Sequence, residues 1–133
     1  MKSARAALLV VAAVMILIGA AGNAFNLIPD LHGDLVELGV RRTVLGGSVI
    51  LMDFAALAMF GFLVIVGTAA IQALRGVTPA RLPLAVIAAV YVAAGCIAFS
   101  WSRSPHHLGN VAAGLALAAA AAIPNSWFLI PNS

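Results

Sequence analysis

Four runs of apolar residues dominate the chain, and short polar stretches separate them. The first, residues 6–24, carries no charge and follows Lys2 and Arg5. The second, residues 44–70, contains one carboxylate, Asp53. The third, residues 84–101, is uncharged and holds Tyr91 and Cys96. The fourth follows Ser104-Pro105 and is alanine-rich up to Ile123. A helix needs roughly 20 apolar residues to cross a bilayer. The pattern therefore predicts four transmembrane helices near residues 6–25, 44–71, 84–101 and 106–124. The fold class expected is an all-α membrane protein: one domain over residues 1–133, built as a four-helix transmembrane bundle.

Residues 27–43 form the main polar break, expected as a short extracytoplasmic interfacial segment between the first two helices. Pro29, Asp30 and Gly33 read as a turn. Asp34, with Glu37 three residues later, reads as a helix start capped by Asp34. That helix would lie at the interface or extend the second span. Further on, Ser104 is placed to cap the fourth helix and Pro105 to occupy its first position. Pro124 and Asn125 end it, and the tail repeats Ile-Pro-Asn-Ser at 123 and 130. Trp127 and Phe128 suit an interfacial position.

Composition removes the soluble alternatives. The chain is 64% hydrophobic and 8% charged, against roughly 25% charged in soluble domains. A soluble fold of this length has too little interior for that apolar surface. The basic start followed by an apolar run has the outline of a signal peptide, but the run is longer than a usual signal core. It is expected to be the first span.

The net charge is +3, from seven Lys and Arg against four acids. The basic residues flank the apolar runs, as membrane anchors do. No basic face suits nucleic acid. A lone cysteine forms no intrachain disulfide. With the N-terminus in the cytoplasm, Lys2, Arg5, Arg75 and Arg81 are inside, and Arg41, Arg42 and Arg103 are outside. Four against three favours that orientation and places both termini in the cytoplasm. The expected location is a bacterial cytoplasmic membrane.

Candidate chemistry follows from depth. At 1.5 Å per residue, Asp53 and Tyr91 each lie roughly 15 Å below the outer ends of their spans. An intramembrane carboxylate needs a partner, and Tyr91 is the nearest candidate at that depth. Asp53 and Tyr91 are the candidate catalytic pair. Asn23, Asn26, Arg103, His106, His107 and Asn110 lie nearer the outer face, as candidate ligand-binding residues. His106 and His107 precede a helix whose start favours anions. Imidazoles there suit proton transfer, a metal or a haem, although neighbouring histidines on a helix point apart. His32, Asp34 and Glu37 match no standard metal spacing. In the fourth helix, Asn110, Gly114, Ala118 and Ala122 form a small-residue ridge that predicts close helix packing, with Gly114 and Ala118 against a neighbour.

No P-loop, Gly-x-Ser-x-Gly, His-Glu-x-x-His or Cys-x-x-Cys is present. Three functions fit. The first is an accessory or self-associating membrane subunit, in a homo-oligomer or larger complex, with a polar pocket in its outer half. The second is an intramembrane enzyme for a small lipophilic substrate, with haem on His106 or His107 as one version. The third is an oligomeric proton- or cation-coupled transporter that uses Asp53.

Overall fold

The computed structural model describes residues 2–124, and all of the elements in it are helical. The tail repeat, Trp127 and Phe128 lie outside the described residues. Helix α1 is Lys2–Gly22; a π-helical segment, Asn23–Leu27, joins it to α2, Ile28–Glu37. The others are α3 (Arg42–Leu74), α4 (Arg81–Ser102) and α5 (His107–Ala122). Three rods are long and apolar enough to cross a membrane: Ala4–Glu37, Arg42–Leu74 and Arg81–Ser102. Helix α5 is apolar but shorter, at 16 residues.

The polar break expected at residues 27–43 is not a separate segment. It continues the first helix, with Pro29 in the first turn of α2. Proline there loses little, because its missing N–H matters least where a helix starts anew. The π segment shifts the hydrogen-bond register just before it: the Ile28 N–H reaches back to the Asn23 carbonyl. Asp34 does not cap a helix start. Its carbonyl accepts the Leu38 N–H at 3.0 Å, in the last turn of α2. The stop comes at Gly39, whose φ is +65°. Gly39 N–H bonds to Val36 O, and Val40 N–H to Leu35 O. That pair is a Schellman motif, and glycine takes its left-handed position without strain. Gly76 (φ +78°) ends α3 in the same way.

Helix α1 is the centre of the bundle, packed against α3 on one side and α5 on the other. Ala6, Leu9, Ala12, Ile16 and Ala20 recur every three or four residues and are all at most 4% exposed. This is the apolar stripe of a helix gripped by its neighbours. Helix α4 packs on α5, while α3 and α4 barely touch.

The α4–α5 contact is made by glycines. A Cβ added to Gly95 would lie 2.7 Å from Val111 Cγ2 and 2.9 Å from Val111 N. One added to Gly114 would lie 2.8 Å from Ala88 O and 2.9 Å from Val92 N. The backbones thus touch directly, as small residues permit. The ridge expected on α5 is displaced. Gly114 faces α4 as anticipated, but Ala118 and Ala122 are exposed. The buried side is Ala113, Gly114, Leu117 and Ala120, because 3.6 residues per turn carry a strict four-residue ridge around the helix.

The two long helices overshoot the short pair. The Phe62 and Tyr91 rings meet edge to face, with centroids 6.1 Å apart, which sets the level of α3 against α4. Ten residues beyond Tyr91 is Trp101, and ten residues back from Phe62 is Met52. The first part of α3, with α2 beside it, therefore extends about 15 Å past the end of α4.

Gly114→Leu is expected to destabilise the protein by about 1–3 kcal/mol, because leucine would overpack this contact. Ala118→Leu should leave stability nearly unchanged. Unfolding of both variants in detergent, followed by circular dichroism, checks the contrast.

Candidate functional site

Where α3 and α4 stay apart, a cleft of about 850 Å³ opens between them. Met15, Ile18 and Gly19 of α1 form its back wall. Ala55, Ala58, Met59 and Phe62 of α3 line one side, and Val90, Tyr91, Ala94 and Ala98 of α4 the other. Asn23, Asn26, Asp30, His106, His107 and Asn110 close around its wide end. The volume falls within the range usual for small-molecule sites, roughly 300–1,000 Å³. The walls are apolar and the polar groups few, also as such sites are built.

Five of the six residues expected to bind a ligand line this cleft: Asn23, Asn26, His106, His107 and Asn110. Tyr91 lines it too. The π segment carries Asn23 and Asn26, and π segments often mark functional positions in helices. Asn23 donates from Nδ2 to the Met59 thioether at 3.0 Å, which orients its amide between α1 and α3. Gly19 lets Met59 and Asn110 come close: a Cβ there would be 3.1 Å from Met59 Cε and 3.9 Å from Asn110 Oδ1.

The two histidines stand together, with ring centroids 3.8 Å apart and planes at 51°. Residues adjacent on a helix would have pointed apart. His106 is the N-cap of α5 and His107 its first residue, and His106 already has helical dihedrals (φ −63°, ψ −25°), so the side-chain rotamers, not the backbone, bring the rings together. Helix α5 starts later than expected. Ser104 does not cap it: its hydroxyl is 2.6 Å from His106 Nδ1. That contact fixes the His106 ring and leaves Nε2 as its other polar atom. Arg103, the sixth expected residue, lies outside the cleft lining. It ends α4 in a left-handed conformation (φ 55°), with its N–H on Phe99 O.

Asp53 is not brought to Tyr91. It is exposed and absent from the cleft lining. Phe62, the α3 residue that meets Tyr91, is nine residues away, so Asp53 lies about 14 Å further along the bundle. The equal depths expected from the sequence require the start of α3 to be flush with the end of α4. Since α3 overshoots, Asp53 comes level with the end of α4.

Tyr91 is 5% exposed, and its hydroxyl has no hydrogen-bond partner among the described residues. A sealed, unpartnered hydroxyl is costly. Tyr91 lines the cleft, but its hydroxyl oxygen is enclosed by protein and not open to that space. Among the described residues no three His, Cys, Asp or Glu side chains gather as a metal site. His32, Asp34 and Glu37 do not converge.

Sequence reading passed over Met59, Phe62, Gly19 and Asp30. The first two look like ordinary apolar positions of a span, and Asp30 like a turn marker; only helix pairing brings them to the cleft. At the opposite end of the bundle, Arg5 is 1% exposed and donates from Nη2 to the Ile123 carbonyl. Arg81 donates to the same oxygen at 2.6 Å. Two guanidinium groups thus gather just past the C-terminus of α5, where positive charge complements the negative end of its dipole. They also tie the starts of α1 and α4 to the end of α5. No protein-family model, curated protein or solved structure matches the chain.

Tyr91→Phe removes the unpartnered hydroxyl and keeps the ring against Phe62. Stability of the purified protein should be unchanged or raised by up to about 1 kcal/mol. Thermal unfolding in detergent measures this, and a clear loss would show that the hydroxyl has a partner.

Proposed function

We propose that the protein is a four-span membrane protein whose working part is the cleft between α3 and α4, a binding site for a lipophilic small molecule. The observation that carries this reading is the cleft itself, about 850 Å³ with apolar side walls and a few polar side chains gathered in its lining. The polar pocket expected in the outer half corresponds to this cleft. A lipophile reaches it from the bilayer, and the Asn and His side chains at the wide end give it polar contacts near the surface.

In this reading α5 crosses with α4 as one hairpin, although its 16 residues give a helix of about 24 Å, short of a typical core of about 30 Å. Such a mismatch is met by local thinning of the bilayer or by tilt. The end with Arg5, Arg75 and Arg81 faces the cytoplasm of a bacterial cell, in keeping with the bias of basic residues. Asp53 then lies level with Trp101, at the outer interface, where a carboxylate meets water. This placement removes the need for an intramembrane partner. It takes away the main support for proton or cation coupling through Asp53.

A second reading, as a self-associating or accessory subunit, draws on the exposure of α3. Only 11% of its most apolar window is buried inside the molecule, against 33% for the first helix. A second protein chain would cover that face as well as lipid does.

Two measurements test the proposal. Cysteines placed at Ser3 and Val77 should label from one side of the membrane and a cysteine at His32 from the other; labelling of all three from one side would end the four-span topology. Native mass spectrometry of protein released from its membranes should show a bound lipophile in the wild type and none in Ala94→Phe, which fills the cleft. The same spectra count subunits, and a strict monomer would set aside the second reading.

A further inference from the structure

The polar lining of the cleft is one-sided in charge. Among the described residues, neither Lys nor Arg lines it, and Asp30 is its only carboxylate. Asn23, Asn26 and Asp30 follow one another at spacings of three and four residues. One face of the rod formed by the π segment and α2 thus turns three oxygen-bearing side chains to the cleft, as helical periodicity allows. The Asn23 amide nitrogen is committed to Met59, which leaves its oxygen to accept. A carboxylate beside amide oxygens suits a hydrogen-bond donor that carries positive charge. An anionic head would meet Asp30 with no cation to offset the repulsion. Below this rim the walls are apolar, with Met59 and Phe62 on α3 and Val90 and Ala94 on α4. A bare metal ion would leave most of the 850 Å³ unfilled.

Resting on the binding reading above, we propose that the cleft takes an amphiphilic ammonium ion, an apolar body with one amine head that is protonated at neutral pH. The ammonium donates to the Asp30 carboxylate and to the amide oxygens of Asn23 and Asn26, and the apolar body lies between α3 and α4. Such a molecule rests in a bilayer with its charge at the polar interface and its chain among the lipid tails, as a lysine side chain does near a helix end. The cleft matches that posture, with its polar lining at the wide end and apolar walls below. The ligand therefore enters sideways from the lipid without turning over. The site selects on charge. A neutral alcohol of the same length fills the walls equally but gives Asp30 no counter-charge, and a carboxylate places like charge beside it.

The test uses full-length protein in nanodiscs of phosphatidylcholine, a lipid without net charge, at about pH 8, where an alkylamine is protonated and a free imidazole is not. Three tritiated probes share one chain length: dodecylamine, dodecanol and dodecanoate. Dodecylamine should bind saturably and more tightly than dodecanol, and dodecanoate should not bind. Asp30→Asn should weaken dodecylamine binding roughly two- to fivefold, the range for a partly exposed ion pair, and leave dodecanol binding unchanged. Asp34→Asn removes an equal charge from α2 outside the cleft lining and should change neither. Ala94→Phe, or Ala58→Phe if the first does not fold, should abolish binding of both. Unchanged circular dichroism and thermal unfolding certify each variant. Dodecanol or dodecanoate binding as tightly as dodecylamine would overturn the ammonium assignment and leave the cleft as a lipophile site. Dodecylamine binding that Asp30→Asn leaves unchanged, or that Asp34→Asn weakens as much, would overturn it too. Absence of saturable binding of all three probes, or equal binding to the cleft-filling variant and wild type, would overturn the binding reading itself.

Discussion

The architecture depends on a close approach of two backbones. Gly95 and Gly114 leave no space for a Cβ, so α4 and α5 behave as one block. In a bilayer, where apolar side chains gain little by leaving lipid, packing of this kind supplies the association. The block docks on α1 through α5 alone, because α5 is the partner that α1 faces. Helix α4 is thereby held beside α5, and it meets α3 at few places. The cleft is the space that this arrangement leaves.

Three features finish the site, and each has a local cause. The Phe62–Tyr91 ring contact brings α3 back to α4 at one height and closes the narrow end. The π segment before Pro29 turns Asn23 and Asn26 toward the cleft while the helix continues. At the start of α5, the His106 ring meets that of His107 and the Ser104 hydroxyl. At the other end of the bundle, Arg5 and Arg81 share the Ile123 carbonyl. That shared contact joins α1, α4 and α5 where few other polar groups occur. The bundle is therefore tied by charge-assisted hydrogen bonds at one end, while the cleft lies toward the other.

Length differences among the helices decide what the acidic residue of α3 means. A carboxylate inside an apolar run of sequence reads as an intramembrane group. Placed on a 33-residue helix that overshoots its neighbour, the same carboxylate sits level with the neighbour's end. Tyr91, not Asp53, is the polar residue of these two that the fold buries.

By itself the sequence determined the helical class, the positions of the four apolar runs, and the polar residues of one half: Asn23, Asn26, His106, His107 and Asn110 needed only hydropathy and depth. Gly114 as a packing position was legible for the same reason, since small residues in a span imply contact. Tertiary structure alone decided the rest. Helix register is set by side chains meeting across helices, as Phe62 meets Tyr91, and no one-dimensional pattern encodes that height. For this reason Asp53 was placed at the level of Tyr91 when it lies about 14 Å beyond it. The continuation of α1 through Pro29 was hidden as well, because proline and glycine signal a stop unless a π segment reorganises the hydrogen bonds before them. The cleft exists only through which helices pair, a property of surfaces that the order of residues along each helix does not state.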